Sequence, residues 1–363
     1  MTKKTSIPEW TPPNAGKEFA SRVVHGKTNT EASPQNASKP KPNIDIEEIK
    51  AGILAGNRTL LSRAITLVES NSRRHFEDAR KLVNELLPHA GKSLRIGITG
   101  TPGAGKSTFI ESLGLWLINQ GHKVAVLAID PSSTISKGSI LGDKTRMEAL
   151  SRHQNSFIRP SPSGGILGGV ARKTRESIIL CEAAAYDIIL IETVGVGQSE
   201  ITVRSMVDMF VLLQIAGAGD ELQGIKKGIM ELADLILVNK ADGDNLMRAQ
   251  IAAGELNSVL HYLQNATEGW QTKAQTCSAL EGTGIQEAWD MVLSFVDHVK
   301  ERGILTQRRQ QQGLQWFNDM FKEALVQHFF ANEANLTRYN RIVNDINQGK
   351  LSPSLALSEI LLL

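Results

Sequence analysis

The chain has 363 residues, of which 41% are hydrophobic and 21% charged, as is typical of a globular protein with one large domain or two smaller ones. Lys and Arg number 40 against 38 Asp and Glu, so the formal net charge of +2 argues against a nucleic-acid or anionic-membrane partner. The 2 cysteines lie far apart, which argues against a disulfide framework or a zinc site and favours a reducing compartment.

The sequence contains no segment typical of a membrane span or an export signal. No apolar run approaches the ~20 residues that cross a bilayer. The N-terminal stretch MTKKTSIPEWTPPNAGKEFASRV lacks the apolar core of a secretory signal, and its acidic residues and prolines make a poor transit peptide. We therefore expect a cytoplasmic protein without a membrane partner, and the mitochondrial matrix is the alternative location.

The chain before the first apolar run divides into two segments of different character. Residues 1–43 are rich in Pro, Ser, Thr, Asn and Lys, so they bury little apolar surface and are expected to form a flexible tail. In residues 44–91 apolar side chains recur at helical spacing until Pro88 and Gly91 end the pattern. This spacing predicts an N-terminal helical segment.

Residues 92–300 alternate short apolar runs with longer helical stretches. Dense Val, Ile and Leu without strict alternation is typical of strands buried on both faces of a parallel sheet. Such runs are LRIGIT, KVAVLAID, DIILIET, MFVLLQIA and DLILVNK, and NSFIRP and KAQTCSA are candidates for further strands. The pattern predicts an α/β fold with a doubly wound, mostly parallel sheet and helical extensions at its N- and C-terminal ends.

Residues 301–363 contain a long amphipathic stretch, TQRRQQQGLQWFNDMFKEALVQHFF, and no strand-like run. One interpretation is a helical appendage that packs on a core of its own. The other is a dimerisation arm, because an apolar surface at the end of the chain needs a cover. The apolar residues near one helical face are Leu314, Phe317, Met320, Phe321 and Leu325.

A phosphate-binding loop follows the first predicted strand. The stretch GITGTPGAGKSTF contains the spacing G-x-x-x-x-G-K-S, whose glycines let backbone N–H groups turn inward around an anion. The next helix adds its own N–H groups and dipole. Lys106 is expected to reach the β- and γ-phosphates and the Ser107 hydroxyl to bind Mg²⁺. The predicted nucleotide-binding residues here are Gly100, Thr101, Pro102, Gly103, Ala104, Gly105, Lys106, Ser107 and Thr108.

Two acidic residues end buried strands at positions suited to a metal site. Asp130 ends KVAVLAID, and Glu192 ends DIILIET directly before VGVGQSE. Residues 192–195 form an E-x-x-G variant of the usual D-x-x-G turn. Because Glu is one methylene longer than Asp, we expect it to contact the metal through a bound water. The Gly195 amide is placed to sense the γ-phosphate, which would make this turn a switch that reports hydrolysis.

The NKAD motif, residues 239–242, follows the run DLILV and predicts which base is bound. Asp242 can accept hydrogen bonds from the N1–H and exocyclic amino group of guanine, which adenine lacks there, and such a site discriminates by ~10⁴ or more. Asn239 is expected to hold the other edge of the base and the Lys240 stem to lie along its plane. GTP is therefore the predicted nucleotide. The backbone N–H groups expected to bind the guanine oxygen are those of Ser278, Ala279 and Leu280.

These motifs resemble the MeaB/ArgK family of GTPases, MMAA-type proteins included, in the SIMIBI class that also contains signal-recognition and nickel-insertion GTPases. The similarity covers about residues 45–363, and Glu in place of Asp in ETVGVGQSE is itself typical of the family. The stretches that carry it are GTPGAGKSTF, VLAIDPSS, GSILGDKTRM, IRPSPSGGILGGV, DIILIETVGVGQSE, GDELQGIKKGI and LVNKADGDN.

The resemblance implies a GTP-hydrolysing chaperone for adenosylcobalamin-dependent acyl-CoA mutases, chiefly methylmalonyl-CoA mutase. Such a protein gates cofactor loading and protects or reactivates the mutase. The resemblance also implies a homodimer built partly through the C-terminal helical arm. Its ligands would be GTP, GDP and Mg²⁺, and its basal turnover would be low and accelerated by the partner.

The resemblance also assigns roles to individual residues. By motif position, Asp130 and Asp143 join Ser107 and Glu192 around Mg²⁺. The implied catalytic residues are Lys106, Asp143 and Glu192. Gln198, close to the switch in sequence, is either a polar loop residue or the residue that positions the attacking water, and Asp143 is the alternative for that second role. Gln223 and Lys226, in GDELQGIKKGI, match a further switch loop that answers the partner.

Three other functions use the same kind of loop. A P-loop kinase that phosphorylates a small molecule or a transport protein needs no guanine-reading motif, yet NKAD is present. A nickel-insertion GTPase usually carries Cys or His clusters, whereas the 8 histidines here are scattered. A scaffold that only binds GTP does not need the Lys106, Ser107 and Glu192 set. The sequence does not say which mutase is the client or whether the chain contacts cobalamin.

Overall fold

The structure is a computed structural model that describes residues 45–70, 72–130, 147–162, 167–193, 198–217 and 225–361. Only the backbone is described at residues 73, 74, 130, 161, 162, 167–170, 198, 199, 225–227 and 361. The tail expected at residues 1–43 lies outside the described residues.

A parallel sheet of 7 strands forms the centre of the fold, in the order β3-β2-β4-β1-β5-β6-β7. All seven predicted strands are present, and every pair of neighbours in this order is parallel. The strands are β1 (Leu94–Gly100), β2 (Val124–Asp130), β3 (Ser156–Pro162), β4 (Ile188–Thr193), β5 (Met209–Ile215), β6 (Leu235–Asn239) and β7 (Lys273–Thr276). The prediction of a doubly wound α/β fold is confirmed.

Helices connect the strands and extend the chain at both ends of the sheet domain. The first three are α1 (Ile46–Leu54), α2 (Arg58–Glu69) and α3 (Arg73–Leu86). Those between strands are α4 (Lys106–Asn119), α5 (Glu148–Arg152), α6 (Leu167–Ala183), α7 (Gln198–Arg204), α8 (Ile225–Met230) and α9 (Leu246–Leu260). The last four are α10 (Ile285–Glu301), α11 (Ile304–Ala331), α12 (Glu333–Asn347) and α13 (Pro353–Leu361).

Both faces of the sheet are buried, which explains why the strand sequences are apolar without alternation. In β6, Leu235 and Leu237 belong to the cluster that contains Phe295 of α10. Ile236 points to the opposite face and packs with Leu260 of α9. Because successive strand residues face opposite sides, each position needs an apolar side chain when helices cover both sides.

The N-terminal helices begin at side chains that bind their free backbone N–H groups. The Asp45 carboxylate caps α1 by accepting from the N–H groups of Glu47 and Glu48, at 3.0 and 3.2 Å. The Asn57 side chain caps α2 in the same way. Such caps stabilise a helix by about 1 kcal/mol. Helices α2 and α3 then pack on α6, so the N-terminal segment covers one side of the sheet domain.

Two fully buried aspartates fix the amino edge of the sheet. Asp208, before β5, accepts from the backbone N–H of Arg95 at 2.9 Å and from the guanidinium of Arg309 on α11 at 2.6 and 2.8 Å. Asp234, before β6, accepts from the guanidinium of Arg204 at 2.7 and 3.3 Å. A buried carboxylate is tolerated when it is paired and hydrogen-bonded in this way. The C-terminal helix α11 is thereby anchored to the sheet.

The long C-terminal helix leaves an apolar face uncovered within the described part of the chain. Leu314 is 65% exposed and Phe317 58% exposed. Phe321 and Leu325 are also more than half exposed, at 51% and 52%. The predicted amphipathic helix is therefore present, but its apolar face does not pack on a core of its own. None of the described helices is both long and apolar enough to cross a membrane.

A buried glutamate makes the stability of the fold depend on pH. Glu176 of α6 has a side chain only 13% exposed, and its burial raises the pKa of the carboxyl to about 7. The folded protein therefore holds a proton that the unfolded chain releases near pH 4.5. As a result, the contribution of this group to stability falls as the pH rises from about 4.5 to 7.

Replacing Glu176 by Gln should remove this loss. From pH 5 to pH 8, the free energy of unfolding measured with urea should fall by about 2 kcal/mol more in the wild-type protein than in E176Q. One pKa unit corresponds to about 1.4 kcal/mol, and the expected value is reduced because the carboxyl is not fully shielded from water. The exposed neighbour Glu77 provides the control, and E77Q should behave like the wild type. Parallel pH profiles for E176Q and the wild type would contradict the prediction.

Candidate nucleotide-binding site

The phosphate-binding loop joins the carboxyl end of β1 to the first residue of α4. Gly100 has φ of 153°, and a Cβ there would lie 2.4 Å from the carbonyl oxygen of Leu213 on β5. Gly105 has φ of 86° and precedes Lys106, the first residue of α4. Only glycine fits both constraints, so the loop stays close to the neighbouring strand and the helix N-terminus faces the loop.

The Lys106 ammonium lies over the loop. Its Nζ donates to the carbonyl oxygens of Gly100 at 2.7 Å and Thr101 at 3.2 Å. A cation held at this point lies beside the N-terminus of α4, where backbone N–H groups and the helix dipole already favour an anion. The arrangement can therefore hold phosphate oxygens between the loop amides and the ammonium group.

Ser107 and Glu192 meet at the carboxyl edge of the sheet. The Ser107 hydroxyl, on the first turn of α4, donates to Glu192 Oε1 at 2.9 Å, and Glu192 at the end of β4 is 9% exposed. Asp130 ends β2, one residue beyond Ile129, which pairs with Thr193 of β4. The backbone thus places three of the four predicted metal ligands on adjoining elements at one edge. Hydroxyl and carboxylate oxygens are the donors that Mg²⁺ prefers, so these residues fit that ion.

The Asn239 side chain connects the phosphate loop to the loop after β7. Its Nδ2 donates to the carbonyl oxygen of Ala104 at 2.8 Å, and its Oδ1 accepts from the backbone N–H of Ala279 at 3.0 Å. A Cβ on Gly105 would lie 2.6 Å from that Nδ2, so the close approach requires glycine. Asn239 is 1% exposed and therefore acts as a buried bridge.

Asp242 lies next to the same second loop. Its carboxylate accepts from the Ser278 hydroxyl at 2.5 Å, and the Ser278 Oγ accepts from the Glu281 backbone N–H at 3.1 Å. Lys240 has φ of 61° and an exposed side chain, so the chain turns sharply between Asn239 and Asp242. The structure thus brings NKAD and SALEGTG together, with Leu280 exposed at the rim.

A chain of buried polar side chains runs behind the metal-site residues, and the sequence reasoning did not single it out. Thr193 Oγ1 donates to Thr99 Oγ1 at 2.8 Å, and Thr99 Oγ1 lies 3.4 Å from Glu200 Oε1 on α7. All three residues are at most 1% exposed. The available signal was the polar residue that ends each apolar run, together with the Glu of VGVGQSE.

Several predicted residues lie outside the described part of the chain. Asp143, Gly195 and Gln223 fall in undescribed segments. The backbone is described at Asp130, Gln198 and Lys226 without their side chains. Within the described residues, no group of three or more His, Cys, Asp or Glu could hold a further metal ion.

A central parallel sheet with this loop at the end of its first strand defines a P-loop nucleotide hydrolase. The family model described as methylmalonyl-CoA mutase-associated GTPase MeaB matches residues 61–334. The chain belongs to this family. It is a GTPase, and guanine nucleotides are its ligands.

Relatives match along most of the chain. The GTPase ArgK of Escherichia coli (strain K12) is 50% identical over 305 residues, which are 84% of this chain and 92% of the relative. The mitochondrial methylmalonic aciduria type A homolog of Mus musculus is 46% identical over 87% of this chain and 79% of the relative. A crystal structure of LAO/AO transport system kinase superposes with a TM-score of 0.71 at 42% identity, over 87% of this chain and 96% of the other.

Replacing Asp242 by Asn should impair guanine binding, because the amide cannot accept from both N–H donors of the base edge. Each charge-assisted hydrogen bond contributes about 1.5–3 kcal/mol, so titration calorimetry should show GTP affinity reduced about 100-fold, with no gain in ATP affinity. The exposed Asp244, two residues further on, provides the control, and D244N should bind GTP like the wild type. Unchanged GTP affinity in D242N would contradict the assignment.

Proposed function

We propose that this GTPase is a chaperone for an adenosylcobalamin-dependent acyl-CoA mutase, most specifically methylmalonyl-CoA mutase. It gates cofactor loading and protects or reactivates the mutase. The observation that carries the proposal is the extent of the family match. Residues 61–334 include helices that precede the sheet domain in sequence and helices that follow it, so the similarity extends well beyond the nucleotide site. A relative named for methylmalonic aciduria matches over 87% of the chain.

Binding of GTP begins with the two loops that Asn239 joins. We assign the phosphates to the amides of residues 100–108 and to Lys106, whose Nζ exchanges the Gly100 and Thr101 carbonyls for β- and γ-phosphate oxygens. The guanine lies between the Lys240 stem and the loop that starts at Ser278. Asp242 accepts from its N1–H and amino group, and the backbone N–H groups of residues 278–280 donate to its oxygen.

We assign Mg²⁺ to Ser107, Glu192 and Asp130, with Asp143 added by resemblance. The fit rests on the 2.9 Å contact between the Ser107 hydroxyl and Glu192 and on the strand end at Asp130. When bound, the ion would neutralise charge on the phosphates. Glu192 orients the Ser107 hydroxyl, and either Asp143 or Gln198 orients the attacking water. The family resemblance adds the expectation that basal turnover is low and that the partner accelerates it.

Loss of the γ-phosphate can be transmitted through α7. This helix begins at Gln198, three residues after the E-x-x-G motif in sequence, and Glu200 connects its first turn to Thr99 and, through Thr99, to Thr193. Beyond its last residue, the Ser205 carbonyl and hydroxyl accept from Arg175 of α6, at 2.8 and 2.7 Å. Gln312 of α11 donates to the Val207 carbonyl at 2.8 Å. We infer that a change at the turn shifts α7 and, through it, the C-terminal helix.

We further propose that the chain forms a homodimer through its C-terminal helices. The exposed apolar face of α11 extends into α12 and α13, where Leu336 is 43% exposed and Leu357 60% exposed. Phe317 and Phe321 stack on each other with ring centroids 6.0 Å apart, so they present one flat apolar surface. A second copy of the same helix provides a matching cover.

We propose that the protein is located in the cytoplasm. Both cysteines are free and buried, as is ordinary in a reducing compartment, and burial raises the pKa of Cys277 to about 12.

Hydrolysis of γ-labelled GTP in the presence of purified methylmalonyl-CoA mutase tests the chaperone proposal. The label should appear as inorganic phosphate, and saturating mutase should raise the rate at least about tenfold, since partners of such GTPases complete the catalytic site. E192Q should hydrolyse about 100-fold more slowly, whereas E287Q, an exposed change on α10, should not differ from the wild type. A hydrolysis rate that mutase does not change would contradict the proposal that mutase is the client. Transfer of the labelled phosphate to a small molecule or a protein would favour the kinase alternative.

Placing a charge on the exposed face of α11 should break the dimer. In light scattering, F317D should have the mass of one chain, because a carboxylate buried between two apolar helices costs several kcal/mol. N318D adds the same charge one residue later, outside the apolar face, and should stay dimeric. Dimeric F317D, or a monomeric wild type, would contradict this interface.

A further inference from the structure

A cavity of about 220 Å³ lies at the amino edge of the sheet, opposite the edge that binds nucleotide. Its walls come from the turn after α3, from α6, from the segment after α7 and from the first half of α11. An enclosed apolar cavity of 150 Å³ is enough to bind benzene, so this one can hold a ligand of about ten non-hydrogen atoms.

Most of the cavity wall is apolar. Leu87 lines it at the end of α3, Ile178 lines it from α6, and Met206 lines it from the segment that precedes β5. The indole of Trp316, on α11, completes the wall. Gly313 also borders the cavity, and a Cβ at Gly313 would meet nothing within 4 Å. This part of the cavity therefore suits a flat or chain-like hydrocarbon group.

Two of the three arginines in the wall are neutralised by their own carboxylates. Arg95 Nε donates to Glu182 Oε1 at 2.9 Å and its Nη2 to Oε2 at 3.0 Å. Arg309 donates to both oxygens of Asp208, at 2.8 and 2.6 Å. Such bidentate pairs compensate the charge of both arginines.

The third arginine, Arg175, lacks a partner of this kind. It is 8% exposed, and among the described residues its Nη groups donate to neutral oxygens alone: the Gln312 carbonyl at 2.7 Å and the carbonyl and hydroxyl of Ser205. Burial lowers the pKa of Arg175 to about 10, so the group stays charged at neutral pH. Asp319 acts on it only through space. A buried charge without an ionic partner is costly, and an anion in the cavity would relieve that cost.

Two N–H donors in the wall are also unused. Arg175 Nε and Trp316 Nε1 are both enclosed, and neither finds an acceptor among the described residues. The two groups are close together, because the Arg175 guanidinium carbon lies 5.8 Å from the centre of the Trp316 ring. Buried donors of this kind normally find an acceptor. One carboxylate has two oxygens, which match two single donors.

We propose that this cavity binds a small amphipathic carboxylate. Its two oxygens accept from Arg175 Nε and Trp316 Nε1 once these two enclosed side chains turn toward the cavity, and its hydrocarbon part packs on Ile178 and Met206. An uncharged ligand would leave Arg175 without a counter-charge in direct contact. A phosphate dianion needs more donors than the two that are unused and gains nothing from the apolar wall. This site is independent of the nucleotide site and of the proposed client.

Titration calorimetry on the full chain with GDP tests the site with 3-phenylpropanoate and hexanoate. The neutral controls are 3-phenylpropanamide and hexanamide, which keep the shape and remove the charge. At about 0.3 kcal/mol per non-hydrogen atom, 3-phenylpropanoate should bind one to one with a Kd of about 4 mM and hexanoate with a Kd of about 17 mM, and each amide should bind at least about tenfold more weakly. W316F keeps the ring and loses the donor, so carboxylate binding should fall about tenfold.

Occupying the cavity with a side chain tests its location. Gly313 lies within α11 without strain, so G313A should fold and bind the carboxylate normally, whereas G313F should fold and abolish binding. Thermal melting of the two variants checks the fold. If G313F does not fold, W316F and the acid–amide comparison in the wild type decide the question. Equal binding of acid and amide, binding that survives in a folded G313F, or no binding of 3-phenylpropanoate at about 40 mM, tenfold above its expected Kd, would overturn the proposal.

Discussion

The buried amide of Asn239 is the interaction on which the nucleotide site depends. With one hydrogen bond to the Ala104 carbonyl and another from the Ala279 amide, it holds the phosphate loop and the second loop at a set separation. The separation matters because a nucleotide has fixed length between its base and its phosphates. Since Gly105 passes within contact distance of the same amide, neither loop can shift without disturbing the other. A change in the loop assigned to the base should therefore also affect binding of the phosphates, and the reverse.

The two edges of the sheet have different tasks. At the carboxyl edge, strand ends deliver Glu192, Asn239 and the phosphate loop to a single crevice, as parallel sheets commonly do. At the amino edge, Asp208 and Asp234 hold the arginines of α7 and α11. Helix α7 reaches both edges: its Glu200 contacts Thr99 at the carboxyl edge, and its Arg204 contacts Asp234 at the amino edge and Gln312 of α11. These contacts are the ones on which we base the proposed coupling between hydrolysis and a partner.

Much of the fold could be predicted from the sequence because burial on both faces leaves a clear pattern. The seven apolar runs became the seven strands, and the spacing of Lys106 and Ser107 after Gly100 located the phosphate loop. Contacts between segments distant in sequence could not be predicted. The hydrophobic pattern of the sequence does not show that Asn239 contacts Ala104. The two residues are 135 positions apart and come together only because the strand order of the sheet places the loops after β1 and β6 close to each other. The buried chain of Thr99, Thr193 and Glu200 was missed for the same reason. The cavity at Arg175 likewise exists only because α6, α11 and the segments after α3 and α7 meet in the fold.

Titrating the full chain with GTP and with ATP in the presence of Mg²⁺, for the wild type and for N239A, tests the central claim most directly. Wild type should bind GTP at least about 10³-fold more tightly than ATP, because Asp242 finds its donors only on guanine. N239A should bind both GTP and GDP more weakly, because the substitution removes the hydrogen bonds that connect the phosphate loop to the loop after β7. Equal affinity of the wild type for the two triphosphates, or N239A that binds like the wild type, would contradict the account.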